Sequence, residues 1–225
     1  MRSHLRNLDV YLSSNCRSLI YIAVFLLLIP LAFSPMSSKG AEKPVSKAPA
    51  TELKQSYTWF DGDTERTVWL NPSLLAEFNP KTTGQSPVKQ FYGDRATEQP
   101  NRQAYIKLWQ FDGVSAETAV RELISDDPKR RLSVVFHDLA SANGNKRALP
   151  GNIIVFFKPS WEGPQVQQWA KTHRLNIVKK LPIGAQVYEI ETAPGFKSLE
   201  TANMIYKTGE VTAAVPNWWE EVEPR

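Results

Sequence analysis

Apolar and polar positions alternate most clearly in the second half of the chain. Ile153, Ile154, Val155, Phe156 and Phe157 run without a polar break and predict a strand over 152–158. Val166, Trp169, Ala170 and His173 then recur at helical spacing and predict a helix over 164–173. Strands over 175–180 and 186–191 follow, separated by Pro182 and Gly184. A second helix is expected over 196–207, with Leu199, Ala202, Ile205 and Tyr206 facing inward and Gly209 as its stop. A strand over 210–215 completes the order β-α-β-β-α-β, the split-βαβ or ferredoxin-like motif.

The first half reads as shorter strands. Residues 57–60 and 67–70 flank Asp61-Gly62-Asp63, a hairpin signal, and 74–78 is a further strand. Residues 84–100 read as a polar loop punctuated by Gly and Pro. A strand over 104–111 places Tyr105, Lys107 and Trp109 on one face and Ile106, Leu108 and Gln110 on the other. Ser115 is a good N-cap for a helix to about residue 125, and a strand over 132–136 and a loop over 141–145 follow. The stretch 70–80 aligns with 149–159, and the helix after Gly113 aligns with the one after Gly195, at offsets of 79 and 82 residues. This pattern reads either as a tandem duplication whose first copy lacks its first helix, or as chance similarity of short β segments. The expected fold class is α+β: a β-rich α+β domain over 57–148, readable as a degenerate copy, then a ferredoxin-like domain over 149–217 and a tail over 218–225.

The N-terminus changes the picture of where the protein works. Residues 19–29 are almost wholly apolar and the run resumes from Leu31 to Phe33. A run of ~15 residues suits a signal-peptide core, whereas a spanning helix wants ~20, so residues 1–40 read as an export signal with an uncleaved anchor as the alternative. The expected location is secreted or periplasmic, with membrane contact only through residues 19–33 if they are kept. Cys16 precedes the apolar run and cannot be a lipoprotein acylation site. Residues 41–56, rich in Pro, Ala and Lys, read as a flexible leader. Most of the net charge of +4 belongs to this end: Arg2, Arg6, Arg17 and Lys39 stand against Asp9, which leaves 23 basic and 22 acidic residues over 41–225. A nearly neutral body argues against a nucleic-acid partner, which needs a clustered basic face. Seven Trp, seven Tyr and ten Phe exclude a disordered chain.

The materials for catalysis are sparse. No Gly-x-Ser-x-Gly elbow and no metal-ligand spacing occur, His137 reads as a loop histidine, and His173 reads as a packed residue at a helix end. The expectation is a non-catalytic protein without cofactor or metal. The informative feature is the strand over 152–158, which is apolar on both faces although helices cover one face of its motif. Ile154 and Phe156 would point to the uncovered face. Glu189 and Glu191 alternate onto one face of their own strand, where they are either solvated or set to meet the helix N-termini of a partner. The tail, Asn217, Trp218, Trp219, Glu220, Glu221, Val222, Glu223, Pro224 and Arg225, reads either as an extended segment able to bind a partner or as a frayed end with its tryptophans folded back.

Taken together, Ile153-Ile-Val-Phe-Phe-Lys-Pro159, Leu175-Asn-Ile-Val-Lys-Lys-Leu-Pro182, Val187-Tyr-Glu-Ile190, Gly209-Glu-Val211 and Ala214-Val-Pro-Asn217 resemble the N-terminal pro-region of subtilisin-like serine proteases. The upstream stretches 57–78 and 134–138 resemble the longer pro-regions of some bacterial members. The resemblance implies a ferredoxin-like prodomain that assists folding of a subtilisin-like serine protease and inhibits it. It further implies docking of the open sheet face, with Glu189 and Glu191, on two helices of the enzyme, while residues 217–225 run through its cleft. The departure from the family is that no catalytic domain follows Arg225 in this sequence. The alternative is an envelope structural or interaction module that keeps the prodomain fold without a protease client.

Overall fold

The computed structural model describes residues 51–80 and 84–221. The expected export segment, the leader up to residue 50 and the tail residues Val222, Glu223, Pro224 and Arg225 lie outside the described residues. What is described is a mixed α/β fold with a curled antiparallel sheet, a second four-stranded antiparallel sheet and four α-helices. No helix among the described residues is long and apolar enough to cross a membrane.

The hairpin forms as its turn signal requires. Strand β1 (Ser56–Asp61) pairs with β2 (Thr64–Phe78) through the two-residue loop Gly62-Asp63. Only the first loop residue has positive φ, 61° at Gly62, the pattern of a type II′ turn, which glycine adopts without steric cost. The sequence suggested two strands over 67–78, but β2 is a single strand of 15 residues. Its register against β5 shifts between Asn71 and Leu75. The irregularity inverts the alternation: Val68 and Leu70 before it and Leu75 after it enter the same core, while Leu74, Ala76 and Phe78 face the other way. The last part of the expected flexible leader is also tied down. Leu53 is buried, which takes its apolar side chain out of water, and its N–H donates to the Ala140 carbonyl.

Helix α1 (Pro87–Tyr92) and strand β3 (Ala96–Gln99), joined by a 3₁₀ turn at Gly93–Arg95, replace the expected loop over 84–100. The local reason is Ser86-Pro87: the serine hydroxyl accepts from the Val88 N–H, and proline at the first helical position loses no bond. Strand β4 (Ile106–Phe111), helix α2 (Ala116–Asp126) capped by Ser115, strand β5 (Leu132–His137) and the short β6 (Lys146–Ala148) complete this half. The second half consists of β7 (Asn152–Phe156), α3 (Gly163–Thr172), β8 (Asn176–Lys180), β9 (Val187–Glu191), α4 (Phe196–Lys207) and β10 (Ala213–Pro216).

The two halves share a topology. From β2 to β5 the first half runs β-α-β-β-α-β with neighbours β5-β2-β4-β3, and from β7 to β10 the second runs the same way with neighbours β10-β7-β9-β8. The first helix that the sequence left out of the first half is present as α1. The offset of 79 residues, however, sets Leu74 on Ile153, and these lie on opposite kinds of face: Leu74 points away from the helices, Ile153 points into them. A one-residue slip reverses every side chain of a strand, so the structural correspondence needs an even offset.

Three apolar clusters result. One lies between the curled sheet and helices α1 and α2, and also takes in Leu149, Leu199, Phe196, Val215 and Trp218 from beyond the first half. A second lies between β7, β9 and helices α3 and α4. The third lies on the other face of the curled sheet, away from the helices, with Leu74, Ala76, Phe78, Ile106, Leu108, Val135, Ala148 and Trp219.

Candidate functional site

The second sheet has one face under its helices and one without them. Pairing registers place Ala213, Phe156 and Val187 in one row of the face without helices, and Val215, Ile154, Glu189 and Lys179 in the next; Ala213 and Val187 are buried and Val215 packs against the first cluster, so this face is covered in part. Ile153 and Val155 are fully buried against α3 and α4, whereas Ile154 and Phe156 are only half-buried. Ile154, Phe156 and Glu189 therefore come together on one surface. Glu191 shares that face one row further, exposed, with the Asn176 amide donating to it at 2.7 Å.

Glu189 is engaged within its own sheet. Lys179 Nζ lies 3.2 Å from its carboxylate and the Asn152 amide donates to the other oxygen. Lys179 is 61% exposed, so the pair contributes at most about 1 kcal/mol and exchanges partners at little cost. Edge strand β8 carries this lysine and Lys180, and charged side chains of this kind blunt an open edge against pairing with another chain.

The carboxyl segment differs from a loose extension. Asn217 N–H donates to the Asn152 carbonyl, and β11 (Trp219–Glu220) then leaves the second sheet and pairs with β6 of the first. Because successive strand residues face opposite ways, the two tryptophans serve two cores. Trp218 packs edge-on against Trp59 and Phe136, with ring centroids 5.7 and 5.6 Å away. Trp219, 5% exposed, belongs to the third cluster, and its indole N–H donates to the Gln103 side chain between β3 and β4. Ion pairs Lys146–Glu221 at 2.6 Å and Arg147–Glu220 at 3.0 Å flank it. Of the tail, Asn217 to Glu221 are thus part of the fold.

His137, expected in a loop, is a fully buried member of β5, because the strand runs one residue further than its apolar positions suggest. Its Nδ1 lies 2.8 Å from the Gly144 carbonyl and its Nε2 lies 3.1 Å from the Asn71 amide nitrogen. Burial is the main cause that pushes its imidazole below the ordinary histidine value. Glu77, also missed, is a buried carboxylate accepting from Trp109 Nε1 at 2.9 Å and from the Ser86 hydroxyl at 2.7 Å. Its legible signal is the Ser-Pro helix start nine residues on, which a strand-end acceptor can anchor. His173 caps the end of α3 and stacks on Trp169, and the Glu210 carboxylate accepts from Trp169 Nε1 at 2.7 Å and lies 2.9 Å from His173 Nε2. The Trp169 N–H holds the Glu210 carboxyl below the usual range. This trio lines a shallow groove of about 490 Å³ with Gln165 and Gln168. Among the described residues no group of three or more His, Cys, Asp and Glu side chains is placed to hold a metal ion.

Compared with known proteins, the sequence matches no family model and no curated relative.

Proposed function

We propose that the chain is an exported, non-catalytic binding protein that assists folding of a subtilisin-like serine protease and inhibits it, with a ferredoxin-like second domain as the binding unit. The supporting observation is the uncovered face of the second sheet. Ile154 and Phe156 are only partly buried beside Glu189 there, while the matching face of the first sheet is filled by its own core. An apolar row edged by exchangeable carboxylates suits a preformed partner surface of roughly 800 Å² a side, and a protein that binds only the native enzyme stabilises it by mass action. Cleft occupancy falls to the residues after Glu221, or requires β11 to leave β6.

The test is inhibition of purified subtilisin-like proteases by the full chain, by a double variant Ile154→Asp/Phe156→Asp, and by a chain ending at Glu221. The reading expects the double variant to lose inhibition at least tenfold with its circular dichroism unchanged. Inhibition untouched by both changes would defeat it.

A second reading is favoured by β11. With Trp218 and Trp219 built into two cores, the tail serves the fold, which suits an envelope interaction module that docks by its sheet face and has no protease client. Recovery of a serine protease with the exported protein supports the first reading, and recovery of envelope components alone supports the second.

A further inference from the structure

The hydrogen bonds around His137 fix its protonation state by geometry. Asn71 sits at the irregularity of β2, and its side-chain oxygen accepts from the Ser73 N–H at 3.1 Å and the Ser73 hydroxyl at 3.2 Å. That commitment turns the Asn71 amide nitrogen toward the ring, 3.1 Å from Nε2, so Nε2 must accept. On the other side Nδ1 meets the Gly144 carbonyl at 2.8 Å and must donate. Only the neutral ring with its proton on Nδ1 satisfies both. A second proton would set two donors against each other in a fully buried position.

What the ring holds is the segment that leads to the carboxyl end. Gly144 lies in the loop between β5 and β6, and the His137–Lys146 pair is the last rung of the β5–β6 ladder. The same loop receives the entering chain, through Leu53 N–H to the Ala140 carbonyl and Ala142 N–H to the Thr51 carbonyl. β6 has three residues and carries the two-residue β11, so the pair has few ladder hydrogen bonds to lose on opening and relies on its buried side chains. The charged groups acting on the ring are few. Asp138, next in the chain, is taken up by the backbone and side-chain nitrogens of Asn145 at 2.9 and 3.0 Å. Lys146 of β6 and Glu221 of the tail neutralise each other at 2.6 Å. β2 offers the ring the neutral Asn71 and Trp69.

We propose that Asn71, His137 and Gly144 form an acid-sensitive latch: protonation of His137 expels the ring, frees the β5–β6 loop and releases β6 with the carboxyl strand β11. The latch stands whether or not the partner is a protease, since it concerns the free chain alone. The sign follows from linkage. The open state takes up a proton at the ordinary imidazole value of ~6.5 and the closed state resists it, so closure is complete above that pH and weakens below it, by about tenfold one pH unit down.

The test is amide hydrogen exchange of the full-length chain between pH 7.5 and 5.5, corrected for intrinsic rates. Exchange of residues 217–221 should rise about tenfold at pH 5.5 while helix α2 stays protected. In Asn71→Asp a carboxylate oxygen replaces the amide nitrogen and accepts from the protonated ring, so the acid response should vanish. An independent check follows His137 by nuclear magnetic resonance in the unmodified chain, where ring titration and tail opening should share one midpoint. A tail indifferent to pH, an equal rise in α2, an unaltered response in Asn71→Asp, or separate midpoints would each overturn the latch.

Discussion

Glu77 illustrates how far one buried carboxylate reaches. By accepting from Trp109 and from Ser86, it ties β2 to β4 and sets the hydroxyl that caps α1. Replacing it with alanine leaves the indole N–H without a partner in the interior, and an orphaned buried donor costs about 1–3 kcal/mol. Urea unfolding of Glu77→Ala should therefore show a loss of about 2–3 kcal/mol, with Glu77→Gln much milder because the amide oxygen still accepts. Gly151 is a second such position. It holds φ at 104°, and a Cβ there would stand 2.9 Å from the Thr192 carbonyl oxygen. Gly151→Ala should lower stability by about 2 kcal/mol in the same assay, through backbone strain and overpacking together.

At the scale of elements, β11 is held by two kinds of contact whose magnitudes differ. Ion pairs with one solvent-exposed partner, such as Arg147–Glu220, contribute about 1 kcal/mol each, whereas a buried tryptophan truncated to alanine costs about 3–5 kcal/mol. Denaturation of Trp219→Ala should thus reveal a far larger loss than Arg147→Ala. The same contrast explains what the sequence disclosed. Helices α2, α3 and α4 were legible because their apolar positions keep one period from end to end, and β7 because its apolar run is unbroken. β2 was not, since its irregularity at Asn71–Leu75 switches the inward parity midway. α1 and β6 were too short to show any period. Of the candidate surface, Ile154 and Phe156 were legible as the excess apolar residues of a half-covered strand. The ties of the tail and of His137 to Asn71 were not, because each joins residues distant in sequence whose meeting depends on the fold.

Residues 51–221 are bound together by a core that ignores the midpoint of the chain. Leu199 and Phe196 of α4, with Val215 and Trp218, pack into the same cluster as Val68, Leu75 and Phe136. Phe60 of β1 stacks on Tyr206 of α4 at 4.5 Å, and the Asn203 amide donates to the Thr58 carbonyl at 2.8 Å. Residues 51–221 should consequently melt in one calorimetric transition whose van't Hoff and calorimetric enthalpies agree, since neither half keeps its full core alone.

The indole of Trp219 and the side chain of Gln103 meet across 116 residues of sequence. Contacts so far apart carry a large loop-closure entropy and form late in the search for the native state. During refolding the helices and inner strands should therefore assemble first, around a trough of leucine and phenylalanine still open to water. A dye that fluoresces on bare apolar surface should brighten early and dim only as the final stave drops in.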